Sequence, residues 1–435
     1  MTNYFNIEMV RNRVALLVAS LVTLTASVSR SAEDLPRLYG LDGSIRYASL
    51  VQLSSDGSLT LRLPETTPDE TTRVATSEFY RWGDFADVRQ GCAVVLADGG
   101  IIVASDPLGA GLGIQLANGR VAVRSPIWQE IELPRAQVRG AVLRLPADSS
   151  RRDRLIQSLM TETGEQDRVA LANGDVFHGE VTAIDNTEVR MRFEGTDLAI
   201  SVLKVLAVVF AREDTERVAG GAVVSLLGGR DGSRLAIARL DGDGNEMSFR
   251  SALGFELRPR DADSLSSILV AWQPASKQHR CLSDLPSQAF RHIPLLAMSE
   301  SLHVDQNQLG GYLRKDGRIF LKGLAMPVTS RVAFALDEQQ TTFVAVPVID
   351  DAAGLGGSVV FRVYGSENGR DWKTLQETGT VRGGDPIRSL QVDVRGFRFL
   401  ALIVEEADRA NVLDYAEWLD ARLIHEVLPV DRAGQ

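Results

Sequence analysis

The chain has 435 residues, enough for two or three domains, and its 44% hydrophobic and 24% charged residues allow a real core. A net charge of −10 at pH 7 leaves no cationic surface for a phosphate backbone, so nucleic acid is not the expected partner. The 38 glycines against 6% aromatics suit many short strands joined by tight turns.

Arg11 and Arg13 precede an apolar run, Val14–Val28, and the small residues Ser29, Ser31 and Ala32 follow it. That layout reads as a secretory signal peptide over residues 1–32. The run is about 15 residues, short of the roughly 20 a membrane span needs. An uncleaved N-terminal anchor is the alternative. Both readings export the rest of the chain, to the periplasm, the cell surface or the medium. Cys92 and Cys281, the two cysteines, are read as unpaired, half-buried thiols in different domains.

Residues 38–147 read as β-rich repeat units. Alternation shows in Ile45–Val51 and Leu59–Leu63. Asp42-Gly43, Asp56-Gly57, Asp98-Gly99, Asn118-Gly119, Asn173-Gly174, Asp231-Gly232 and Asp241-Gly242 supply the positive φ of tight hairpins. Val94–Val103 and Val169–Val181 share a strand, an Asp/Asn-Gly turn and a second strand, and looser copies start near Leu41 and Val223. The spacing is irregular, so the expectation is two to four small, twisted β units, barrel-like or sandwich-like, rather than a solenoid. A connector helix is expected at residues 148–162, capped by Asp148 or Ser149. Leu155, Ile156 and Leu159 lie on one face and its charges face solvent. Residues 163–272 return to β-rich repeats, and Pro274–Lys277 mark a boundary.

The search for chemistry along the chain is nearly empty. No two of the five histidines have i,i+4 zinc spacing, and there is no Gly-x-Ser-x-Gly elbow. Gly109–Gly113 lacks the final glycine of a dinucleotide loop, and the stretch from Asp241 fails as a calcium loop at Glu246 and Ala252. Adjacent carboxylates such as Asp350-Asp351 and Glu405-Glu406 point to opposite faces of a strand, so they form no glycosidase pair.

Residues 281–425 carry a series of ordered landmarks. They are Leu282–Leu285, Leu309–Leu313, Phe320–Leu324, Ser330–Leu336, Phe343–Asp351, Gly357–Val363, Gly379–Asp385, Val392–Gly396, Leu400–Val404 and Asp414–Leu423. Together they resemble the NPCBM family, the novel putative carbohydrate-binding module. The resemblance implies a jelly-roll, galactose-binding-like β-sandwich with a glycan ligand. The residues agree with such a sandwich: Val359, Phe361 and Val363 alternate, as do Leu400, Leu402 and Val404. One departure stands out, because Pro327 lies near a position where the family usually has histidine. The fold class expected overall is all-β, with barrel- or sandwich-like repeats followed by that jelly roll.

Sugar sites stack aromatic faces on pyranose rings and answer hydroxyls with polar groups. In the loop at 367–373, Trp372 is the candidate platform, with Arg370, Asn368 and Asp371 as polar partners. A Trp that caps the sandwich edge is the structural alternative. Trp418 and Tyr364 are expected in the core. Asp350, Asp351 and Asp414 are candidates for a structural calcium or for turn hydrogen bonds. No other cofactor is expected. The leading reading is an exported, non-catalytic protein that binds a glycan or cell-surface polysaccharide. The alternatives are an envelope protein that binds other envelope proteins, and a carbohydrate-active enzyme.

Overall fold

Four hairpin turns of one kind organise the first half of the protein. In this computed structural model residues 35–64, 70–105, 111–211, 221–260, 265–294, 299–408 and 412–425 are described, and the signal-peptide reading lies outside them. At Gly43, Gly99, Gly174 and Gly232 the backbone takes φ of +85°, +89°, +100° and +97°, which glycine adopts without steric cost. Each of these N–H groups donates three residues back, to Gly40, Leu96, Leu171 and Gly229. The preceding side chain, Asp42, Asp98, Asn173 or Asp231, accepts from the N–H two residues on, at 2.8 to 3.2 Å. The side chain and the glycine together fix the register of the two strands they join.

Each turn begins a unit with the same pairing scheme. A hairpin and a short meander follow, and a closing strand returns to pair with the unit's first strand. The first–closing pairs are Arg37–Gly40 with Phe79–Gly83, Cys92–Leu96 with Val138–Val142, Asp167–Leu171 with Val205–Val209, and Ser225–Gly229 with Leu269–Pro274. Among the described residues the meander does not pair with the closing strand, so the units are open sheets rather than the closed barrels the sequence allowed. The closing strands then pair between units. Val138–Val142 joins Val205–Val209, and Phe79–Gly83 joins Leu269–Pro274. One hydrophobic core runs through all four units, centred on Trp82, Trp128, Phe249 and Trp272. The Trp82 indole donates to Ala48 O at 2.8 Å and Trp272 to Gly57 O at 3.2 Å, so neither ring buries an unpaired N–H.

The connecting helix, Ser149–Thr161, starts at Asp148, whose carboxylate accepts from Arg151 N at 2.7 Å. Ile156 and Leu159 pack onto Val95, Val103, Val142 and Val209. Arg152 and Asp153 are buried with them, which corrects the expectation of a solvated charged face.

The C-terminal domain is a two-sheet sandwich. One sheet orders the strands His303–Val304, Gly323–Met326, Ala416–His425, Gln340–Ile349 and Leu390–Asp393. The other orders Ala289–His292, Ser330–Ala335, Phe399–Glu406, Ser358–Ser366 and Trp372–Arg382. Alternating inward residues of both sheets fill the space between them. Trp418 is fully buried at the centre, edge-on to Phe361 at 4.9 Å and tilted against Phe343 at 6.1 Å.

Candidate functional site

The turn that joins Ser358–Ser366 to Trp372–Arg382 brings the four sequence-derived ligand candidates together. Asn368 Oδ1 accepts from Arg370 N at 2.8 Å and from Asp371 N at 2.9 Å, and its Nδ2 donates to Asp371 Oδ2 at 2.8 Å. Ser366 Oγ accepts from Gly369 N at 2.9 Å. Asn368 and Asp371 therefore hold the turn itself, while Arg370 and Trp372 face outward, Trp372 with 37% of its surface exposed.

The three aspartates considered for calcium work as backbone acceptors. Asp350 is buried and accepts from Ala352 N at 2.7 Å, Arg314 N at 3.1 Å and Asn307 Nδ2 at 3.4 Å. Asp351 accepts from Asp316 N and Gly317 N, tying down a hairpin turn, and Asp414 accepts from Ser358 N at 2.6 Å. Among the described residues no three His, Cys, Asp or Glu side chains are grouped to hold a metal ion, and each of the three aspartates makes the turn hydrogen bonds given above. Behind Asp350 lies Glu417, fully buried. Burial first, and then the Asp350 charge, push its carboxyl well above the ordinary range.

A groove of about 330 Å³ opens along the side of the sandwich, where the edge strands Trp372–Arg382 and Leu390–Asp393 face each other. Gln376, Glu377, Thr380, Asp385 and Arg388 line it over a floor of Pro347 and Leu390. Glu377 is anchored by Arg362 at 2.9 Å, and Asp385 by Arg382 N at 2.8 Å. Arg388 is exposed and has no hydrogen bond or ion pair with the described residues. Trp372 lies four residues from Gln376 along the same strand, roughly 13 Å at about 3.3 Å per residue. Sequence reasoning did not find this groove, because its two walls are 14 residues apart at Gln376 and Leu390 and meet only through the sheet edges. Pro327 is buried between strands Gly323–Met326 and Ser330–Ala335, so the departure from the family pattern falls in the interior.

Sequence reasoning also missed the junction between the two halves. Arg314 forks between Asp153, at 2.6 and 3.0 Å, and Asp87, at 2.6 and 3.1 Å, and Arg152 reaches Asp87 at 3.2 Å. Nearby, Arg81 is fully buried between the rings of Tyr39 at 4.4 Å and Phe320 at 5.0 Å, 3.4 Å from Asp420. Arg422 lies over Tyr80 at 4.3 Å and donates to the carbonyls of Gly40 and Leu41. Cys281 meets the Tyr80 hydroxyl at 3.7 Å and Cys92 faces Leu143 O. Both thiols are buried and free, and burial pushes both up to about 12.

Residues 278–424 match the NPCBM/NEW2 domain. A putative endo-alpha-N-acetylgalactosaminidase of Renibacterium salmoninarum is 27% identical over 115 residues. That match covers 26% of this chain and 7% of the length of that relative. Among solved structures, a CBM51 module from Clostridium perfringens GH95 in complex with methyl-galactose is similar at 18% identity. The match covers 33% of this chain and 99% of the other, with a TM-score of 0.29. The CBM51-2 and INT domains of Clostridium perfringens ZmpB, in complex with GlcNAc, match at 21% identity over 48% of this chain and 39% of the other, with a TM-score of 0.30. The landmarks and the two-sheet sandwich agree with the NPCBM/NEW2 match, which covers residues 278–424, the C-terminal domain of the chain.

Proposed function

We propose that the C-terminal domain binds glycan, that the chain acts without catalysis of its own, and that it works outside the cytoplasm, on a cell-surface or extracellular polysaccharide. The observation that carries the reading is the polar groove at the side of the sandwich. It combines an apolar floor with carboxylate, amide, hydroxyl and guanidinium groups, the mixture that answers a ring with many hydroxyls. The match of the C-terminal domain to a family named for carbohydrate binding supports it. The test is a glycan array on the intact chain, followed by Arg388→Ala and Trp372→Ala. Arg388→Ala is expected to weaken the bound glycan at least tenfold. Trp372→Ala weakens only a ligand long enough to reach the turn at 366–372. No binding to any glycan overturns the reading.

A second reading has one observation in its favour. Leu355 is 81% exposed beside Leu413 and Val412 at one end of the sandwich, an apolar tip suited to a protein partner in the envelope. Leu355→Asp abolishes such an association and leaves glycan binding intact.

A further inference from the structure

A second cavity, of about 340 Å³, lies between the repeat half and the C-terminal domain. It is assembled from four places in the chain: the Asp98–Gly100 turn, the helix side chains Gln157 and Met160, Arg234 in the fourth unit, and Gln306 and Tyr312 of the C-terminal domain. Arg234 is only 5% exposed, and its guanidinium lies over the Tyr312 ring at 4.1 Å. Its Nη1 has no hydrogen-bond partner among the described residues. Arg81, Arg152 and Arg314, buried in the same junction, each meet a carboxylate, whereas Arg234, like Arg422, meets none among the described residues. A buried cation with an unanswered N–H is costly unless an anion completes it. The carboxylates nearby have other duties. Asp305 is held by Lys322 at 3.0 Å, and Asp98 Oδ1 accepts from Gly100 N at 2.9 Å. Gln306 Nε2 donates to Gln157 Oε1 at 3.2 Å across the cavity, which leaves one amide oxygen and one amide NH₂ for a ligand. Met160 supplies an apolar wall.

We propose that this cleft binds a small hydroxylated ring that bears a carboxylate, a uronic-acid sugar unit. Arg234 takes the carboxylate, Gln157 and Gln306 answer ring hydroxyls, and the ring rests against Met160. This site is separate from the groove on the sandwich and does not depend on it. The two are coupled only in that the cleft needs both halves of the chain.

The test is isothermal titration of the intact chain with glucuronate and galacturonate, beside glucose, galactose and acetate. Saturable binding of at least one uronate is expected, at least tenfold tighter than its neutral sugar and than acetate. Arg234→Gln should weaken it tenfold or more. Met160→Trp, which fills the cleft from a half-buried position with Arg234 intact, should abolish it, and a thermal melt of each variant confirms the fold. Arg388→Ala should leave uronate binding unchanged. The absence of saturable uronate binding, equal binding of the neutral sugars, wild-type affinity in folded Arg234→Gln, or loss of binding in Arg388→Ala would each overturn the proposal. Loss of glycan binding at the groove, with uronate binding retained, would sink the other reading alone.

Discussion

His279 sits edge-on to Tyr80 at 5.1 Å, where burial first and then the Arg422 charge lower its pKa to about 4 from the ordinary 6.5. Above pH 6.5 the imidazole is neutral in both folded and unfolded chains, and its contribution is complete. As pH falls from 6.5 towards 4 the unfolded chain takes a proton that the folded one refuses, and up to about 3 kcal/mol is lost. His279→Gln should flatten this part of the stability curve, read as the urea midpoint across pH. Glu417 acts in the opposite sense because its carboxyl is raised. Its contribution is fully present below the unfolded value near 4.5 and is lost as pH rises towards the folded one. Glu417→Gln removes the titrating group and should be at least as stable as the parent at pH 8, with that loss removed. Neither environment was legible in the sequence, since each depends on groups far away in the chain. Arg152 and Asp153 differ from them. They stand four and three residues before Ile156, a spacing that already placed both on the apolar side of the helix.

The strands and turns were the most legible elements, because Asp-Gly and Asn-Gly declare both the backbone conformation and the register of the hairpin around them. The alternating stretches of the sandwich were legible for a similar reason, since period-two burial needs no knowledge of the partner strand. How the four units join was not legible, because any closing strand rich in valine can pair with any other. The structure marks those junctions with glycine. A Cβ on Gly83 would lie 1.8 Å from Val270 O, and one on Gly140 would lie 2.2 Å from Val208 O, both against backbone that cannot move aside. At Gly174 nothing lies within 4 Å, and only its φ of +100° opposes a side chain. Gly174→Ala should therefore cost about 1 kcal/mol. Gly83→Ala and Gly140→Ala should each cost about 3 kcal/mol or more, from overpacking and strain together. Chemical denaturation of the three variants gives the order.

At the scale of the molecule, the sandwich is locked to the repeats by buried charge from both sides. Arg314 and Arg422 enter the repeat half, and Arg81 faces Asp420 in return. Removing Arg314 leaves the Asp153 carboxylate buried and uncompensated, so Arg314→Ala should cost about 3–5 kcal/mol. Calorimetry should show one transition for the parent chain and two for the variant, as the halves lose their coupling.

The pairing of closing strands also sets a timetable. The second and third units can join as soon as Val209 has been made. The first unit must wait for Leu269–Pro274, roughly 190 residues after Gly83, which takes on the order of 10–40 s at the usual pace of synthesis. Through that interval Phe79–Gly83, buried at every position in the finished protein, stands as an unmatched hydrophobic edge. The outer pair of units therefore closes around an inner pair that can form first.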